Sequence, residues 1–190
     1  MMSITAVPPR LGALGLAAAL AVSPASLALG DTEGEAAMEA RNAAVALQAR
    51  NATIALEARN RATVREAFDA WAEGEAVFAR LIAEDVTWTI HGSSPVAGTY
   101  HGLDDFVARA SRPLISRLAG PLVPTVHRIW ADGDTVVIRF DGAATTTSGA
   151  PYRNSFLWIF RMEDSRVVEA EAFLDLAAYD AVVFHEEPAR

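Results

Sequence analysis

The chain contains no cysteine. That excludes thiol nucleophiles, disulfides, thiolate metal ligation and a lipid-modified N-terminal cysteine. It contains no lysine either, since all 16 basic residues are arginine, and Schiff-base chemistry and a phosphate-loop lysine are excluded with it. No glycine-rich phosphate loop, Gly-x-Ser-x-Gly elbow or His-Glu-x-x-His pair occurs. Positive charge is scarce: the formal net charge is −8. Such a chain repels a phosphate backbone, which argues against a nucleic-acid partner. The 4 histidines do not fall at metal-ligating spacings, so no metal is expected. Nothing in the sequence demands a cofactor.

What is present is an ordinary core composition, 52% hydrophobic and 8% aromatic over 190 residues, enough for one domain and an extension. Arg10 is the only charge before Asp31, and "LGALGLAAALAV" then runs apolar into "SPASLALG". This order reads as an export signal over residues 1–28, with Ser26-Leu27-Ala28 fitting small-x-small cleavage. The apolar run is short of the ~20 residues of a membrane span, so no stable span is expected after cleavage. The mature chain is then expected in the periplasm or secreted.

Residues 29–59 read as a linker and spacer helix. Ala-Arg-Asn recurs at Arg41-Asn42, Arg50-Asn51 and Arg59-Asn60, nine residues apart. At about 100° per residue each copy faces opposite to the last. Met38, Val45 and Leu56 fall on one face, Leu47 and Ile54 on the other, and neither stripe is wide enough to bury strongly. Residues 36–58 are therefore expected to be dispensable for the folded domain.

The pattern sharpens over residues 60–183. Val64, Phe68 and Trp71 at i, i+4 and i+7 make one apolar helix face, with Gly74 as its stop. Phe78, Leu81 and Ile82 read as a second short helix. "DVTWTIHG" is a strand and "GTYHG" a short extended piece. "LDDFVARASRPLISRL" is a helix that Pro113 should kink or restart. Four strands follow, with turns at Asp132-Gly133, Ser148-Gly149 and Asp164-Ser165. "AAYDAVVF" is a closing helix, and residues 184–190 form a tail. Helices and an antiparallel meander sharing one buried face make an α+β fold.

The stretches "VREAFDAWAEGE", "EDVTWTIHGSSPVAGTYHGLDDF", "ADGDTVVIRFDG" and "PYRNSFLWIFRMEDSRVVEAEAFLD" resemble the SnoaL-like branch of the nuclear transport factor 2-like superfamily, which also holds ketosteroid isomerases. The resemblance runs from about Asn60 to Val183. It implies a curved antiparallel sheet wrapped around N-terminal helices into a cone with a deep apolar pocket. It also implies a small apolar ligand, and it is compatible with a homodimer. Some members are isomerases, polyketide cyclases or epoxide hydrolases; many have no known reaction.

Two functions therefore stand open, acid/base catalysis on a small apolar molecule or non-catalytic binding of an apolar ligand or protein partner. For catalysis, "IRFD" and "FLD" resemble positions that carry an Asp-Arg-Asp set in epoxide hydrolases of this fold. Here these are Arg139, Asp141 and Asp175, and an arginine between two carboxylates would push their pKa values apart. The other reading of the same residues is a surface ion pair. Val136, Ile138 and Phe140 form the apolar face of that strand, which puts Arg139 and Asp141 on the other. Asp175 shares a face with Glu169 and Glu171 unless a bulge near Phe173 re-aims it. His91 ends the "VTWTIH" strand and is the second candidate for moving a proton, or else a loop residue. His127 and His101 read as structural or exposed. Trp88, Trp130, Phe156, Trp158, Phe160 and Phe173 are the candidate walls of a ligand pocket, with Met162 beside them, or else plain core.

Overall fold

A computed structural model of the protein describes residues 24–185, and the chain divides into two units at Leu47/Gln48. The export segment expected at residues 1–28 lies outside the described residues up to position 23, and the tail does so from position 186.

Helix α1 (Pro24–Ala72) supplies residues to both units. In the first unit Met38, Val45 and Leu47 are exposed, as the half-turn remainder of the nine-residue period requires. In the second unit Ile54 is exposed too, but burial begins soon after. Asn60 is 2% exposed and donates through Nδ2 to Gly133 O at 3.3 Å. Glu57 Oε1 accepts from Gly133 N at 3.2 Å. The third copy of the repeat thus grips both backbone groups of a hairpin turn, and the expected boundary at residue 60 falls inside a helix that is already docked. Val64 and Phe68 are fully buried, and Phe68 packs edge-on against Phe140 at 4.9 Å. Burial of a side chain of this size contributes roughly 1.5–3 kcal/mol. The helix ends before Gly74, whose φ of +96° suits a residue without Cβ.

Helix α2 (Val77–Leu81) leads into strand β1 (Ile82–Ile90), so Ile82 begins the strand and does not end the helix. Strand β2 (Gly98–His101) follows. Next comes a helical run built from α3 (Leu103–Phe106), a π-helical turn (Val107–Ser111) and α4 (Arg112–Ile115). Pro113 explains the composite. It has no N–H for the carbonyl four residues back, and the widened turn lets Arg112 N reach Val107 O instead. Strands β3 (Val123–Asp132), β4 (Thr135–Thr145), β5 (Pro151–Glu163) and β6 (Arg166–Leu174) form the meander, and α5 (Leu176–His185) ends the described chain.

The six strands lie in the order β2-β1-β6-β5-β4-β3 in one curved, unclosed sheet. The expectation of a purely antiparallel sheet needs correction. β1 and β6 run parallel, because the chain between them leaves one edge and returns through four strands to the middle. Residues of alternating parity face the helices: Val136, Ile138 and Phe140 from β4, Phe156, Trp158 and Phe160 from β5, Ala170 and Ala172 from β6, all buried.

Candidate functional site

The inner face of the sheet and the helices above it leave a cavity of about 80 Å³. β1 contributes Trp88 and Ile90, β5 contributes Phe156 and Trp158, and β6 contributes Ala172 and Leu174. Trp71 comes from α1, Phe78 from α2, Phe106 from α3 and Tyr179 from α5. The π-helical turn places Ala110 and Ser111 on the wall, and α4 adds Leu114 and the exposed Ile115. The rings brace one another. Trp88 stacks on Phe106 at 4.1 Å and meets Trp158 edge-on at 5.0 Å. Trp71 stacks parallel to Trp158 at 6.2 Å. The wall carries no Asp, Glu, His or Arg side chain. Its one titratable group is Tyr179, whose hydroxyl donates to Ala110 O at 2.8 Å and whose pKa burial pushes up.

Of the six aromatic side chains expected as walls, Trp88, Phe156 and Trp158 line this cavity. Phe160 is fully buried but lies in the core behind it, together with Met162. Trp130 and Phe173 are each 40% exposed on the outer face of the sheet and take no part in the wall. For Trp130 the cause is a register shift between Val126 and Arg128. The extra residue reverses the alternation, so Ile129 turns inward and Trp130 outward. For Phe173 the cause is simple parity with Glu169 and Glu171, since the β5/β6 register runs unbroken from Phe156↔Leu174 to Arg161↔Glu169. The bulge that would re-aim Asp175 is thus not there. Sequence reasoning missed Phe106 and Tyr179 as wall residues. The signal for both was weak, one aromatic ring in each of two short helices.

The candidate catalytic residues lie on the outer face as well, and they do not converge on the cavity. Asp141 pairs through Oδ2 with His127 Nε2 at 2.7 Å and accepts from Ser155 Oγ through Oδ1 at 2.8 Å. The Ser155 hydrogen bond first, and His127 second, hold its carboxyl below the usual range. Arg139 is exposed and faces Arg128 across the β3/β4 pair. Asp175 is exposed and begins α5, where its Oδ1 accepts from Ala178 N at 3.2 Å. Its backbone N and O are both paired with the buried Asn154 side chain at 2.9 Å. This is a helix-capping geometry. Asp141 and Asp175 do border one polar surface groove of about 430 Å³, with Thr125, Arg153 and Ser155; Arg139 does not. His91 pairs through Nε2 with Glu171 at 2.7 Å and stacks on Phe173 at 4.5 Å, and its side chain does not line the cavity. His101 is exposed. Among the described residues no three His, Cys, Asp or Glu are grouped to hold a metal ion, and no described helix is long and apolar enough to cross a membrane.

A sequence profile for the SnoaL-like domain matches residues 64–170. No curated protein sequence matches. Among solved structures, Bal32a from a soil-derived mobile gene cassette is 22% identical, with a TM-score of 0.56 over 67% of this chain and 98% of its own. A nuclear transport factor 2-like protein of unknown function from Burkholderia pseudomallei K96243 is 26% identical, with a TM-score of 0.53 over 66% and 98%. TerC, co-crystallised with polyporic acid, is 17% identical, with a TM-score of 0.54 over 66% and 98%. The profile spans more than half of the sequence, and the chain belongs to the SnoaL-like domain family.

Proposed function

We propose that the second unit binds a small apolar molecule in its aromatic-walled cavity and carries out no acid/base chemistry there. One observation carries this reading: no carboxylate, imidazole or guanidinium lines the wall. A general acid or base must sit within hydrogen-bond reach of the reacting atoms with a pKa near the working pH. The cavity offers only the Tyr179 phenol, whose pKa is raised and whose proton is already donated to Ala110 O. An apolar wall with few polar atoms is what a small-molecule site needs.

The test is a binding titration with an apolar fluorescent dye, followed by displacement with small ring compounds. Ser111→Trp, at the partly exposed edge of the cavity, should abolish dye binding and leave the melting temperature within a few degrees. Dye binding unchanged in that variant would refute the reading. A second reading, acid/base chemistry in the outer groove, is favoured by the shared border of Asp141 and Asp175. Turnover of an added ligand that disappears in Asp141→Asn would transfer the function to that groove.

Export and self-association complete the proposal. The N-terminal pattern of Arg10, apolar run and small residues supports release of residues 1–28 and work outside the cytoplasm. The outer sheet face supports a homodimer. Trp130, Val137 and Ile159 stand in register beside Glu171, and Arg128, Arg139 and Leu157 beside Phe173. Two arginines therefore flank one side of an apolar strip and Glu169 and Glu171 the other. A twofold axis through β5 lays each side on its opposite, as a self-complementary interface requires.

A further inference from the structure

The cavity as it stands, about 80 Å³, is about half the roughly 150 Å³ that holds the six carbons of benzene in an engineered interior. By that measure about three carbon atoms fit, and a larger molecule enters only if part of the wall moves. Most of the wall is fixed. Its residues on β1, β5 and β6 belong to strands with a hydrogen-bonded neighbour on each side. Trp71 follows the fully buried Val64 and Phe68 on α1, and Phe78 packs among the rings of Trp88, Phe106 and Trp158. Tyr179 lies on α5, which Val182 and Val183 bury beside it. The largest remaining part of the wall is one stretch, the π-helical turn and α4, with Ala110, Ser111, Leu114 and Ile115.

Both ends of that stretch are pinned. At one end Phe106 stacks on Trp88 at 4.1 Å. At the other, Thr147 N donates to Arg117 O and Ala119 N to Thr145 O, each at 2.8 Å. Between them the backbone is irregular. Pro113 offers no N–H, Arg112 N meets Val107 O across the widened turn, and α3 and α4 are four residues each. Helices of that length do not hold themselves without packing, and a π-helical turn inside an α-helix is a frequent mark of function. The ties to the surroundings are few. Arg109 pairs with Asp105 of α3 at 2.9 Å and lies over the Tyr100 ring at 4.8 Å, but its side chain is largely exposed, and such a pair contributes little. Ile115 is 46% exposed. Among the described residues, the hydrogen bond that joins the stretch to α5 runs from the Tyr179 hydroxyl to Ala110 O at 2.8 Å. Burial raises the pKa of that phenol, so it stays a neutral donor at ordinary pH. We infer that residues 107–116 form a strap across the cavity, pinned at Phe106 and Arg117 and latched by the Tyr179 hydroxyl on Ala110 O, and that its release admits the ligand; the inference rests on the binding reading above. Release draws Ala110 and Leu114, now 3% and 6% exposed, out of the wall and enlarges the cavity while the sheet stays in place. Local opening of this kind needs less free energy than unfolding the whole domain.

Hydrogen exchange of the full chain, followed by mass spectrometry, reads the strap with no ligand present. The amides of residues 107–116 should exchange faster than those of β5. Tyr179→Phe keeps the ring and removes the latch, and should speed the strap amides a further 2- to 10-fold or so, roughly the range that one net hydrogen bond sets, with β5 unchanged. Stopped-flow mixing with the apolar dye should show association faster by the same factor. Pro113→Ala supplies the missing N–H and should slow both the strap exchange and dye association, a test that stands even if Tyr179→Phe fails to fold. Exchange in residues 107–116 as slow as in β5 overturns the strap and leaves the binding reading standing. So does a Tyr179→Phe chain in which β5 speeds up as much as residues 107–116, because that hydrogen bond then supports the whole domain and latches nothing. Dye association unchanged in both variants overturns the gate. A wild-type chain that binds no dye although residues 107–116 exchange fast removes the binding reading, and the gate with it.

Discussion

Asn42, Asn51 and Asn60 are the same residue at the same place in three copies of one repeat, which makes a controlled experiment. All three lie in helix, and Asn→Ala gains up to about 0.7 kcal/mol of helix propensity at each. Asn42 and Asn51 are exposed, so that gain should stand nearly alone. Asn60 is 2% exposed and donates to Gly133 O at 3.3 Å. Its loss removes one hydrogen bond, worth about 1 kcal/mol net, and Gly133, half-buried at its turn, recovers part of it from water. Asn60→Ala should therefore be less stable than Asn51→Ala by about 1 kcal/mol, even though the two substitutions are chemically identical. At this chain length that is a difference of roughly 2–4 °C in melting temperature. The assay is thermal unfolding followed by tryptophan fluorescence, since Trp88 and Trp158 are buried and report on the core. Equal shifts for all three variants would refute the docking of the third copy and restore the whole repeat to the role of a spacer.

Two further outcomes test the wider proposal. Trp130→Glu, which puts a charge in the middle of the outer apolar strip, should turn a dimer into a monomer in sedimentation velocity without loss of dye binding; a wild-type chain that sediments as a monomer at every concentration would end the dimer proposal. N-terminal sequencing of protein recovered from outside the cytoplasm should begin near residue 29, and material that still starts at Met1 or Met2 would count against export.

Much of the fold is legible in the sequence because its signals are local. Strand alternation in "TVVIRF" and "SFLWIFRM" assigns the buried faces of β4 and β5 correctly, since a period of two residues is intrinsic to an extended chain. Val64, Phe68 and Trp71 declare a helix face in the same way. Turn positions at Gly133 and Asp164-Ser165 follow from residues that accept positive φ, and both adopt it. The irregular helix at Pro113 follows from a missing N–H. The parallel pairing of β1 with β6 does not, because strand partners far apart in sequence are selected by burial of the whole sheet and by no local feature.

The site divides along the same line. Outward placement of Arg139 and Asp141 is readable from the apolar residues that alternate with them, and Asp175 follows Glu169 and Glu171 by parity. Trp130 is not readable, because one extra residue at the β3 bulge reverses every side chain beyond it and the bulge is a property of the β3/β4 pair. His127 and Asp141 meet at 2.7 Å across that pair, a contact between residues that carry no mutual signature. By itself the sequence determined which residues are apolar, where the chain turns and which chemistries lack their reagents. Only the tertiary structure decided that Trp130 faces outward and that Trp88, Phe156 and Trp158 line an uncharged cavity with Phe106 and Tyr179, because that wall is assembled from five helices and three strands whose relative positions exist only once the sheet has curved around them.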